Sequence, residues 1–184
     1  GTIKLKIQAL DESNTVIGTE TVSITETDGW QRFTVILDTS SPVKKIRVYF
    51  GFEGSQGHYY IDDVQLEKGS GASSYNYIEN GSFNYTIANN WVGSTATVVD
   101  ETINGEAVKA LSLTGGLPFY YDAGNNYEDD DNDGEPDLQN TEAYVMQENV
   151  AINGKKGDVF SLGGWFKGNF VRNSTDMALM NSYF

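Results

Sequence analysis

Apolar and polar residues alternate with period two along most of this chain, the pattern of strands that bury one face. Ile3, Leu5 and Ile7 alternate with Lys4, Lys6 and Gln8, and Asp11-Glu12-Ser13-Asn14 then reads as a polar turn. Val16 to Ile24, rich in Thr and Val, predicts a strand interrupted at Gly18. Trp30 to Leu37 predicts the next, stopped by Ser41-Pro42. The clearest alternation sets Ile46, Val48, Phe50 and Phe52 against Arg47, Tyr49, Gly51 and Glu53. Gly54-Ser55-Gln56-Gly57 turns the chain back, with His58 expected at an exposed tip. The strand that follows carries a conflict. Val64 and Leu66 share a face, whereas Ile61 falls on the other, and a β-bulge near Asp62-Asp63 resolves it by inserting one residue.

Residues 69–78 read as a linker, Gly- and Ser-rich in the first half, and Asn80-Gly81-Ser82-Phe83 as a turn ahead of Trp91. Thr95 to Val99, Ala107 to Leu113, Ala143 to Ile152 and Val159 to Phe166 predict strands, the last two separated by the turn Asn153-Gly154-Lys155-Lys156-Gly157-Asp158. Residues 114–140 form a long Gly- and acid-rich loop, and Met177 to Phe184 reads as a shortened strand. No stretch reads as a three-turn helix with an apolar stripe. Many short strands with Gly-rich turns predict an all-β sandwich or barrel, with Trp30, Trp91 and Trp165 at core positions. The two halves do not repeat each other.

Composition narrows the chemistry. The chain has 184 residues, of which 39% are hydrophobic, enough to bury a core. With 26 acidic against 12 basic residues its net charge is -14, which repels phosphate backbones and argues against nucleic acid as a partner. The absence of cysteine rules out disulfides and thiolate zinc sites. No apolar run approaches the roughly 18 residues of a membrane-spanning helix, so membrane insertion is not expected, and the opening residues carry no signal-peptide pattern.

Eight of the acids lie between Asp122 and Asp137. Within them Asp129, Asp131 and Asp133 alternate and are followed by Gly134, like the first half of an EF-hand loop. Alternate carboxylates curl around one Ca2+, Gly134 permits the sharp turn, Glu135 offers its carbonyl, and Asp137 binds directly or through water. Asn140 stands where the bidentate Glu of that loop belongs, so the affinity should be modest; the competing reading is a solvated, self-repelling acidic loop. Exposed aromatic rings stack on the C–H faces of sugars, and the candidates are Tyr120, Tyr121 and Tyr127 in the long loop and Tyr49 with Arg47 on the non-core face of their strand. For any single aromatic, packing is the commoner role. There is no nucleophile elbow, phosphate loop or dinucleotide fingerprint.

The combination Asn80 to Phe83 with Trp91, Gly154 to Asp158 with Gly164-Trp165, Trp30-Gln31, and Tyr60 to Leu66 resembles the jelly-roll, galactose-binding-like carbohydrate-binding modules that occur in tandem in bacterial surface and secreted proteins, including cell-wall-associated proteins with Rhs/YD repeats. The motifs stand in rotated order: residues 79–184 resemble the first two-thirds of such a module and residues 1–68 the last third. The resemblance implies one circularly permuted sandwich, its ends Gly1 and Phe184 close together, with domain-swapped self-association as the rival. It also implies a structural calcium held by an Asp of the closing strand, here Asp63, together with a Glu after the opening Phe, whose place is taken by Asn84.

The function expected on these grounds is a non-catalytic, calcium-stabilised module of an extracellular or cell-surface bacterial protein that holds a polysaccharide or cell-wall glycan. A spacer or adhesion sandwich without a sugar site is the alternative, and a glycan-active enzyme fragment, with Asp62 and Asp63 as acid and base, ranks last.

Overall fold

A computed structural model describes residues 2–52, 57–70, 75–86, 90–93, 96–115 and 143–169. They form ten strands and no helix: β1 (Ile3–Leu10), β2 (Val16–Ile24), β3 (Gln31–Asp38), β4 (Val43–Phe52), β5 (Gly57–Lys68), β6 (Val92–Gly93), β7 (Ala96–Ile103), β8 (Glu106–Gly115), β9 (Tyr144–Gly154) and β10 (Val159–Asn169). The strands make two five-stranded antiparallel sheets, ordered β2-β1-β4-β9-β6 and β3-β10-β5-β8-β7, packed face to face as a sandwich. Strands from before residue 69 and from after residue 79 occur together in both sheets. Gly1 and residues 170–184, with the ends expected to meet and the shortened strand at Met177 to Phe184, lie outside the described residues.

The period-two pattern sets the inner faces. Ile3, Leu5 and Ile7 of β1 and Ile46, Val48 and Phe50 of β4 are fully buried from the first sheet. Tyr59, Ile61, Val64 and Leu66 of β5 and Phe160, Leu162 and Phe166 of β10 meet them from the second. Phe50 is the bridge between layers: its ring centroid lies 5.7 Å from that of Phe166 and 5.8 Å from that of Trp91, which in turn lies 5.5 Å from Phe83. One apolar cluster therefore draws on both ends of the chain.

The bulge required by the closing strand is present. Gly163 pairs with Gln65 and Trp165 with Asp62, so β5 carries one residue more than β10 across this interval. Asp63 adopts φ 47°, and Ile61 and Val64 both reach the core. Several expectations need correction. β2 is continuous through Gly18, with only a register shift opposite Ala9 and Leu10. His58 is a half-buried residue of β5, not a turn tip. Of the three tryptophans only Trp91 is in the core. Trp30 is half-buried just ahead of β3, where its Nε1 donates to Thr102 O at 3.1 Å. The Lys167 ammonium lies 5.8 Å from its ring centroid and 4.9 Å from that of Tyr60, and 2.9 Å from a carboxylate oxygen of Glu101. Trp30 and Trp165 are partly exposed because alternation places a ring on a face but does not say which faces are covered.

The span 69–78 also departs from a plain linker. β8 pairs with β5 only from Gly57 to Ile61, leaving the Val64–Leu66 edge without a strand on that side. Residues 76–81 cover it. Asn76 Oδ1 accepts from Leu66 N and Ile78 N, both at 2.9 Å, its Nδ2 donates to Val64 O at 2.9 Å, and Tyr77 N donates to Leu66 O at 2.8 Å. Val64 N then donates to Gly81 O at 2.9 Å. A Cβ at Gly81 would strike Val64 O, so only glycine lets the turn approach β5 this closely. Asn76→Ala should therefore cost about 1–3 kcal/mol in urea unfolding, and Asn76→Asp, which keeps the acceptor and loses the donor, should fall between it and wild type. Equal stability of all three proteins would show that the clip contributes nothing.

Candidate functional site

The segment clipped to β5 carries the clearest concave site. Tyr75 and Tyr77, two residues apart on an extended backbone, form an edge-to-face pair with centroids 4.7 Å apart, and Tyr75 is 64% exposed. Asn76 between them is turned to β5, which leaves the rings on the opposite side. The segment is anchored on both flanks. Ile78 and Phe83 are buried, and the Glu79 carbonyl accepts from Nε2 of Gln147, a buried residue of β9, at 2.5 Å. The Glu79 carboxylate accepts from the Asn90 amide. Asn80 holds the turn beyond: its carbonyl accepts from Trp91 Nε1 and Phe83 N, both at 3.2 Å, and its Oδ1 accepts from Tyr85 N at 3.2 Å.

The far wall comes from β9. Ile46 pairs with Val150 and Val48 with Gln147, so β9 bulges at Glu148-Asn149 opposite Arg47. The bulge flares these two side chains outward beside Val92 of the short edge strand β6. Between the tyrosine pair and the bulge lies an open groove of about 420 Å³, within the range of small-molecule sites. It offers two aromatic rings, amides, the carboxylates of Glu79 and Glu148, and an apolar patch at Val92, Val150 and Ala151.

Arg47 stands just behind this groove: its Nη2 is 3.7 Å from Glu148 and its Nη1 donates to Gln8 Oε1 at 3.2 Å. Tyr49, two residues along β4, shares the outer face of the first sheet with Arg47. Its ring stacks on Tyr144 at 5.8 Å and 15°, and Lys6 sits 4.7 Å from its centroid. Tyr120, Tyr121 and Tyr127, and the calcium-loop residues Asp129, Asp131, Asp133, Glu135 and Asp137, lie outside the described residues. Among the described residues no three His, Asp or Glu side chains gather in a metal-binding group. Tyr75 and Tyr77 fall in the span that reads as linker; the sequence signal for them is two tyrosines alternating around an Asn.

The acids of the β5 bulge differ sharply. Asp63 is exposed. Asp62 is 3% exposed, and its Oδ1 accepts from Asp63 N at 2.7 Å. Burial pushes the Asp62 carboxyl up to about 7; the neighbouring Asp63 charge adds to this and the Asp63 N–H opposes it. His58 Nε2 lies 2.9 Å from Ser112 Oγ, but Ser112 is only 6% exposed, which fits a cross-strand polar pair better than a nucleophile and base.

Compared with known protein families, curated proteins and solved structures, the chain matches none. The functional reading therefore rests on the groove and on the fold.

A carboxyl whose folded pKa is raised binds more protons in the folded chain than in the unfolded one. Its effect on stability is unfavourable once it ionises, so stability falls as pH rises from the unfolded carboxylate range, about 4, through about 7. Asp62→Asn keeps an acceptor for Asp63 N and removes the titration. In chelator, it should raise the melting temperature more at pH 8 than at pH 5; an equal change at both would show that Asp62 does not titrate in this window.

Proposed function

We propose that this chain is a non-catalytic carbohydrate-binding module of jelly-roll type, a unit of a large secreted or cell-surface bacterial protein stabilised by calcium. The observation that carries the reading is the groove itself. An exposed Tyr75 and a half-buried Tyr77 stand over it with amide and carboxylate groups at its rim, a pairing of stacking faces and hydrogen-bonding groups suited to a sugar ring.

Strand pairing supports the jelly roll in rotated order. Taken in the order β8, β9, β10, β1, β2, β3, β4, β5, the first strand pairs with the last, β8 with β5. The next pairs inward are β9 with β4, β10 with β3, and β1 with β2. That nesting is one long antiparallel ribbon, and β10 against β5 and β1 against β4 are the contacts made when it is rolled up. The motifs that suggested the resemblance also meet in space. Gly81 of the opening turn bonds Val64 of the closing strand. Asp158 of the Gly-Lys-Lys-Gly-Asp turn pairs with Lys68 at 2.6 Å, and its carbonyl accepts from Thr39 Oγ1 at 2.7 Å.

The spacer reading has its own support in the outer face of the first sheet. Its side chains are tied to each other, Lys4 to Ser23, Arg47 to Gln8 and Lys45 to Asn14, leaving little for a ligand.

A pull-down over insoluble polysaccharides and peptidoglycan, run in calcium and again in chelator, separates the two readings. Retention on a polymer, reduced about tenfold or more by Tyr77→Ala, is expected for a binding module. No retention in either buffer would leave the spacer. For calcium, Asp131→Ala should lower the melting temperature only when calcium is present, since a ligand bound to the folded state alone stabilises it by mass action. An equal loss in chelator would remove the acidic loop as the site.

A further inference from the structure

We propose that the groove selects glycans bearing protonated amino groups, of the deacetylated hexosamine type, over neutral or acidic ones; this rests on the groove being the glycan site. The reasoning is a charge count at the walls. Glu79 and Glu148 both line the groove, and among the described residues no Lys, Arg or His does. Glu79 has no ion pair among the described residues, and Glu148 is offset only by a long one. Glu79 takes a neutral amide, that of Asn90, which holds its orientation and leaves its charge. Glu148 has only Arg47, at 3.7 Å, and that guanidinium also serves Gln8.

The tyrosine pair points the same way. Aromatic faces attract cations as well as sugar C–H groups, so a ring carrying an ammonium meets favourable charge from both walls. A uronic acid or a phosphate-bearing polymer would instead set like charge against Glu79 and Glu148. The net charge of -14 extends the preference beyond contact distance by concentrating cations near the surface. That long-range attraction is unselective, so a test has to separate it from the groove.

Binding of short glucosamine oligomers and of the same oligomers after N-acetylation, followed by calorimetry or fluorescence on the full chain, makes that separation. Wild type should bind the aminated oligomers about tenfold or more tightly than the acetylated ones at low salt. Glu79→Gln and Glu148→Gln should each shrink this ratio while leaving affinity for the acetylated oligomers nearly unchanged. Tyr77→Ala should weaken both ligands. Glu20→Gln, on the edge strand β2 away from the groove, makes the same change in net charge and should leave the ratio unchanged. Equal binding of the two oligomers would overturn the amine preference and keep the glycan reading. A Glu20→Gln effect as large as those of the groove variants would also overturn it, by assigning the attraction to the whole surface. No binding of either oligomer, or of any polymer in the pull-down, would overturn the amine preference and the glycan reading together.

Discussion

The molecule depends on one strand that has to find partners along both of its sides. β5 runs through the middle of the second sheet, pairing with β10 along one side over most of its length. On the other side it pairs with β8 only as far as Ile61. Beyond that point its backbone groups would face an apolar core without partners, which costs more than a hydrogen bond gains in water. The bulge at Asp62-Asp63 and the Asn76 clip answer this together. The bulge brings Val64 and Leu66 back to the face already used by Tyr59 and Ile61, and the clip supplies the missing partner strand from residues 76–81.

The candidate site is a consequence of that repair. With Asn76 committed to β5, its neighbours Tyr75 and Tyr77 are held over the edge of the first sheet at fixed spacing. Gln147 locks the same segment to β9 through the Glu79 carbonyl, and the bulge at Glu148-Asn149 supplies the facing wall. The groove is held in place by side-chain amides of Asn76 and Gln147 that bond to backbone groups, joining the segment to both sheets. The polar ladder on the outer face of the first sheet has the opposite character. Its described groups are largely tied to one another.

Much of the fold was legible in the residues. Period-two alternation in Ile3 to Ile7 and Ile46 to Phe52 identified strands and their buried sides, and the misfit of Ile61 against Val64 located the bulge. Less of the site could be read. Tyr75 and Tyr77 sit in a stretch whose composition signals a flexible connection, and only the vacancy beside β5 orders it. Glu148 and Asn149 belong to an ordinary strand until a register shift turns them outward. Trp30 and Trp165 carry the sign of a core residue, yet both are only half-buried among the described residues.

What the sequence determined by itself is local: which residues extend, which side of each strand is apolar, where glycines and Asn-Gly pairs turn the chain, and where charge accumulates. These follow from side-chain alternation and backbone sterics, which act over a few residues. The tertiary structure alone decided the strand order, which places residues from both ends of the chain side by side in each sheet, and with it the groove. Pairing partners are chosen by the burial of whole faces and by the need to satisfy every edge, and both are properties of the assembled sandwich rather than of any segment.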